Sequence, residues 1–318
     1  MIPRHITRSC PGLLRAVLVG AASLGLLATS VPYVDAEPSA PAAPVVPGMP
    51  LERTPISIPK LSAKARAVGI EPGNAPMGWR HAQLGAKDLP ALTSRATVSA
   101  TAKTKLISMT GVLGIDVASY QKNVDWASFK SQKRVFAYIK ATEGSSYRNP
   151  YFSSQYNGAA KAGLIRGAYH FANPSGATGA RQADYFVRYG GAWPGDGKTL
   201  PGVLDIEYNP YGRNICYGLS KTAMIAWISA FVTEYKKKTT RDAVIYTTAD
   251  WWKRCTGNTT KFNQTNPLWV VRYGTSSPGV LPGKWPFYTF WQYGSSPLDQ
   301  NKFSASYTRL QVLAGKKK

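Results

Sequence analysis

Hydrophobic and polar positions divide this chain in two. Up to residue 110 apolar periodicity is weak. From Gly111 onward, apolar runs of strand length alternate with segments of helical spacing. The runs cover 112–116, 135–143, 165–171, 202–208 and 243–247. Between them the pattern predicts helices over 124–132, with Asn123 as N-cap, over 150–162, ended by Gly163, over 177–189, and over 220–238, with Ser220 as cap. After residue 247 the rhythm changes. Segments 268–273 and 287–293 read as strands, but Pro and Gly fill the connections, and 299–303 is a last short strand. Repeated β-α units imply a parallel sheet, and right-handed crossovers close such a series into a barrel. The expected fold is therefore α/β, an irregular TIM-like barrel that is regular for about five units and helix-poor afterwards. An open doubly wound sheet is the alternative, but no Gly-rich phosphate loop follows any strand.

Polar residues fall at particular places in this pattern. Asp205 and Glu207 end the fourth run and are separated only by Ile206, so in a strand they share a face, with Cα atoms about 6.5–7 Å apart. Like charges that close raise at least one pKa. The plain reading is that nearby Lys or Arg neutralise them. Asp116, Glu143 and His170, however, also lie at the C-terminal ends of runs, as do Tyr246 and Gln292. In a β/α barrel these ends converge on one face, the face that carries active sites. Convergence favours a catalytic pair over a structural one. Asp299 is a weaker candidate for the same cluster. Trp291 is a candidate site residue that competes with core packing, whereas Trp251 and Trp252 read as packing residues outside the site.

Composition sharpens the setting. The 318 residues carry a formal charge of +23, which implies anionic partners, and include 9 Trp, which suit a carbohydrate cleft. No recognised nucleic-acid motif is present. The stretch 1–36 has Arg4, Arg8 and Arg15 ahead of an apolar segment and ends in Val34-Asp35-Ala36, the pattern of a cleaved export signal that leaves no membrane segment in the mature chain. Residues 37–110 are rich in Pro and Ala and read as a linker or pro-segment, within which the stretch from Met77 to His81 is a candidate for docking on the domain that follows. The barrel domain is expected to span 111–318. With Cys10 removed, Cys216 and Cys255 remain as an even pair in an exported chain, and a disulfide between them is worth roughly 3–4 kcal/mol. No CxxC or Cys/His cluster occurs, which argues against a metal site, and no cofactor is expected.

These segments carry a resemblance. Gly114-Ile115-Asp116-Val117 with Tyr120-Gln121, Val124-Asp125-Trp126, the run from Phe136 to Gly144 (FAYIKATEG), Gly167 to Phe171 (GAYHF), Asp205-Ile206-Glu207 and Trp291-Gln292-Tyr293 together resemble glycoside hydrolase family 25, the muramidases of Chalaropsis-type lysozymes. The closing family segment, usually Asp-Leu-Asn, is here Asp299-Gln300-Asn301. The resemblance implies a (β/α)5(β)3 barrel and retaining cleavage of the β-1,4 bond from N-acetylmuramic acid to N-acetylglucosamine in peptidoglycan. Glycoside cleavage needs a proton donor and a group that stabilises positive charge at the anomeric carbon. Glu207 is the candidate acid. Asp205 either attacks the sugar or orients its 2-acetamido group, and the resemblance favours the second. Asp116 joins the catalytic set. Glu143, His170, Tyr246, Trp291 and Asp299 are the expected substrate contacts. A monomer acting on peptidoglycan and its anionic wall polymers is expected. A non-catalytic wall-binding protein on the same barrel is the alternative.

Overall fold

A computed structural model describes residues 75, 77–80 and 111–317. The expected export signal and most of the Pro/Ala-rich stretch lie outside the described residues. The first strands and helices follow the alternation in chain order: β1 (Val112–Val117), α1 (Trp126–Ser131), β2 (Arg134–Glu143), the two-residue β3 (Tyr147–Arg148), α2 (Phe152–Lys161), β4 (Ile165–Phe171), α3 (Gly179–Phe186) and β5 (Val203–Asp205). Then come α4 (Lys221–Thr239), β6 (Val244–Thr247), α5 (Ala249–Thr256), β7 (Leu268–Val271), β8 (Phe290–Gly294), β9 (Asp299–Phe303) and α6 (Tyr307–Leu313).

The nine strands form one sheet, in which β3 is a short antiparallel addition to β2. The other strands close a barrel, because β1 pairs with both β2 and β9. All barrel neighbours are parallel except β9, which runs antiparallel to β8 and β1. Five β/α units followed by three strands is the architecture expected. The strand reversal at β9 removes the need for a helix between β8 and β9, since an antiparallel neighbour needs only a short connection, whereas the parallel step from β7 to β8 is made by an irregular segment with one 3-10 turn at Pro282–Lys284.

Alternation sorts side chains into two cores. Phe136, Tyr138, Tyr169, Val203, Tyr246, Trp269 and Phe290 fill the barrel interior. Tyr138 lies 4.9 Å from Trp269 between ring centroids and meets Phe290 edge-on at 5.5 Å. Leu204, Ile206 and Ile245 point the other way, into a layer with Phe186 of α3 and Phe231 of α4. Gly114 and Gly167 make room for the interior rings: a Cβ at either would overlap Phe136 or Tyr138.

Several boundaries differ from the sequence reading. The N-cap of α1 is Asp125, whose carboxylate accepts from Ser128 N–H at 3.0 Å, in place of Asn123. Strand β5 ends at Asp205, so the expected strand over 202–208 is shorter than its apolar pattern, although Ile206 N–H still donates to Tyr246 O at 3.0 Å. Helices α5 and α6 were not anticipated. Both are short and capped by hydroxyls, those of Thr248 and Ser306. Cys216 and Cys255 are disulfide-bonded across a sequence separation of 39, with Cys255 on α5. The bond ties the loop after β5 to α5.

Gly167→Ala should lower stability by about 1–3 kcal/mol through overpacking against Tyr138, measured as a shifted denaturant midpoint. An unchanged midpoint would contradict the packing described.

Candidate active site

Asp116, Lys140, Glu143, Asp205, Glu207, Tyr246 and Gln292 are all buried, at or just beyond the C-terminal ends of strands β1, β2, β5, β6 and β8. Position along the strand explains most of this set. Asp116, Tyr246 and Gln292 share parity with interior residues Gly114, Val244 and Phe290.

Glu143 needs an extra device. Lys140 follows Phe136 and Tyr138 on the inner face, and Glu143 three residues on would face outward in a regular strand. The register between β2 and β4 slips between Lys140 and Thr142, so two residues of β2 oppose one of β4. This bulge changes the parity and lets Lys140 and Glu143 meet as a buried ion pair, Nζ to Oε2 at 2.5 Å. Glu143 Oε2 also accepts from Ala75 N–H at 3.1 Å. Burial raises the Glu143 pKa, and Lys140 opposes the rise.

Asp116 is held by neutral donors. Its Oδ2 accepts from Gln292 Nε2 at 2.9 Å and Asn301 Nδ2 at 2.6 Å. Gln292 Oε1 in turn accepts from the hydroxyls of Tyr246 at 2.6 Å and Tyr273 at 2.7 Å, and Asn301 Oδ1 accepts from Trp269 Nε1 at 3.0 Å. Asp299 stands opposite Asp116 across the β1–β9 ladder. Burial pushes Asp116 up to about 6, against the pull of these donors. Burial and the negative charge of Asp116 hold Asp299 well above the usual carboxylate range, and a side-chain hydrogen bond with Asp116 adds to the rise.

Asp205 and Glu207 are different. Both are 0% exposed, and among the described residues neither Asp205 oxygen nor Glu207 Oε2 has a hydrogen-bond partner. Glu207 Oε1 accepts from Gly78 N–H at 2.5 Å. Buried carboxyl groups with unmet oxygens are costly and rare. The salt-bridge reading therefore fails for this pair: Lys140, the lysine that acts electrostatically on both, is bonded to Glu143. Burial raises both groups, Glu207 to about 8, and the charge of Glu207 raises Asp205 further. Near neutral pH the pair retains a proton.

The remaining candidates sit elsewhere. His170 faces out of the barrel, stacked on Phe231 at 5.4 Å. Its Nδ1 accepts from the Thr142 hydroxyl at 2.8 Å and its Nε2 donates to Gln182 Oε1 at 3.0 Å. This assignment follows because Oε1 also accepts Asn173 N–H, while Gln182 Nε2 donates to two carbonyls. Burial lowers the His170 pKa to about 3. Trp291, adjacent to inward-facing Gln292, lies on the outer face of β8, where its Nε1 donates to Arg272 O at 3.0 Å. The structure does not bring His170 or Trp291 together with the carboxyl cluster. Sequence reasoning missed Lys140 and Tyr273. A lysine inside the apolar run FAYIKATE was the available signal for the first.

Residues 115–301 match the sequence profile of glycosyl hydrolases family 25. The chain belongs to this family. As a family 25 member it is a glycoside hydrolase. It is 51% identical over 212 residues to lysozyme M1 of Streptomyces globisporus, covering 64% of this chain and 71% of that protein. It is 49% identical over 213 residues to the N,O-diacetylmuramidase of Chalaropsis sp, covering 64% of this chain and 99% of that protein. Among solved structures, the muramidase from Acremonium alcalophilum superposes with a TM-score of 0.63 at 51% identity, over 64% of this chain and 99% of its own. The bacterial lysozyme from Streptomyces coelicolor gives 0.63 at 50% identity, over 65% and 98%.

The raised Glu207 pKa has a stability consequence. The unfolded side chain titrates near 4.5 and the folded one near 8, so its contribution is complete below the lower value and is lost as pH rises through the higher. Glu207→Gln should therefore be more stable than the wild type by on the order of 4 kcal/mol at pH 8, with the advantage vanishing toward pH 4. Denaturant unfolding across this range checks it. A constant difference would contradict the shift.

Proposed function

We propose that the chain is an exported muramidase that hydrolyses the β-1,4 bond between N-acetylmuramic acid and N-acetylglucosamine in peptidoglycan, with retention. The observation that carries this reading is the Asp205/Glu207 pair: two carboxyl groups, fully buried, with three oxygens that none of the described residues satisfies, on a family 25 barrel. The names of the relatives, lysozyme and N,O-diacetylmuramidase, support the substrate class.

Glu207 acts as general acid. Burial keeps it protonated near neutral pH, so it delivers its proton to the leaving oxygen as the glycosidic bond breaks. Asp205, one pleat deeper, stabilises the positive charge developing at the anomeric carbon, either by direct attack or by orienting the 2-acetamido carbonyl that attacks from within the substrate. Retention, the outcome that the family resemblance implies, gives Glu207 a role in both steps. Glu207, now a carboxylate, then takes a proton from the incoming water. Asp116, fixed by Gln292, Asn301 and Asp299, supplies negative potential beside the cationic sugar. Tyr246 acts by holding Gln292, and Glu143 by holding Lys140. The basic surface, part of the overall +23, favours docking on anionic wall polymers.

Glu207→Gln should reduce the rate of peptidoglycan solubilisation by about 10²–10⁴-fold. Mass analysis of the released muropeptides should find new reducing ends on N-acetylmuramic acid. Reducing ends on N-acetylglucosamine would contradict the assigned bond. Equal, measurable rates for wild type and variant would contradict the acid assignment, and no hydrolysis by the wild type would favour a non-catalytic wall-binding role.

A further inference from the structure

A stretch far upstream of the barrel sits on the catalytic candidates. Ala75, Met77 and Trp79 are 0%, 2% and 4% exposed. Gly78 donates its N–H to Glu207, 129 residues away in sequence. Ala75 uses both backbone groups: its N–H donates to Glu143 Oε2 and its carbonyl accepts from Lys140 Nζ. Trp79 Nε1 donates to Tyr208 O at 2.9 Å, and the Arg80 guanidinium lies 4.2 Å from the centre of the Tyr208 ring.

The fit is specific at Gly78. Its φ of +70° favours glycine, and a Cβ would lie 2.5 Å from the Tyr273 hydroxyl, 2.8 Å from Gln292 Oε1 and 2.9 Å from the Tyr246 hydroxyl. The segment therefore engages Glu207 and Glu143, and abuts Gln292, the side chain that holds Asp116. A sugar reaching the Glu207 proton would need the same space.

We propose that residues 75–80 are an intramolecular inhibitor of the barrel, and that hydrolysis of a peptide bond between residues 81 and 110 by a protease releases it. The inference rests on the muramidase reading. Thirty residues, 81–110, join the segment to the barrel, and they include Lys87, Arg95, Lys103 and Lys105 as basic cleavage points. A tether of this kind supplies a local concentration on the order of millimolar, so even a weakly binding peptide occupies the site. Once cut, the segment competes only at its bulk concentration and dissociates.

Three proteins test this: the intact chain from residue 37, the same chain with Gly78→Val, and the barrel 111–318 alone. Solved relatives that consist of little more than the barrel indicate that this last piece folds independently. Initial rates on peptidoglycan should be at least about tenfold lower for the intact wild type than for the barrel, and Gly78→Val should recover most of that loss. A synthetic peptide of residues 71–85 should bind the barrel by calorimetry, and its Gly78→Val counterpart at least about tenfold more weakly. Equal rates for all three proteins, or no binding of the native peptide at millimolar concentration, would overturn the proposal. Peptide binding with all three inactive would support the seated segment while refuting the peptidoglycan reading, so the two failures are distinguishable.

Discussion

Desolvation of carboxyl groups at one end of the barrel is the constraint on which this site depends. Asp116, Glu143, Asp205 and Glu207 are at most 3% exposed, and each would favour its neutral form without compensation. The protein compensates unevenly. Glu143 receives a buried lysine. Asp116 receives two amide donors, each supported by tyrosine or tryptophan, and a neighbour in Asp299 whose pKa is itself raised. Asp205 receives nothing of the kind, and Glu207 receives one backbone N–H from an upstream segment. The least compensated groups are the two to which the proposed mechanism assigns the proton donor and the stabilising charge.

Barrel closure makes that distribution possible. The reversed β9 places Asp299 at the start of its own strand and yet beside Asp116, at the end of β1. Asn301 follows on the inner face and reaches the same carboxylate. The bulge in β2 brings Lys140 and Glu143 onto one face. Two departures from regular parallel geometry thus supply the partners of two acids, while among the described residues Asp205 has no hydrogen-bond partner and Glu207 has only the Gly78 N–H. The disulfide from Cys216 to Cys255 fastens the loop that follows Glu207 onto α5.

Much of this was legible in the sequence, because burial on both faces of parallel strands leaves long apolar runs ending in polar residues. The runs 165–171 and 299–303 match β4 and β9 to the residue, and the five-plus-three organisation follows from where helical spacing stops. The grouping of Asp116, Glu143, Asp205, Glu207 and Tyr246 followed from strand-end position alone. His170 and Trp291 did not fit that logic, because strand-end position does not specify face: one residue of parity puts each in the outer layer. Lys140 is placed by a bulge, which leaves no periodic trace in the sequence. The bonds of Ala75 and Gly78 span separations of 68 and 129 residues. No local pattern encodes such contacts, although the Met-Gly-Trp-Arg stretch stood out from its Pro/Ala surroundings.

The central claim is that burial without compensation keeps a proton on the Asp205/Glu207 pair at neutral pH. Carboxyl-carbon NMR titration of the isotopically labelled protein tests it most directly, with Asp205→Asn and Glu207→Gln used to assign the two signals. The account predicts that at least one of the two remains protonated at pH 7 and titrates toward 8. Titration of both near the ordinary value of about 4 would contradict it.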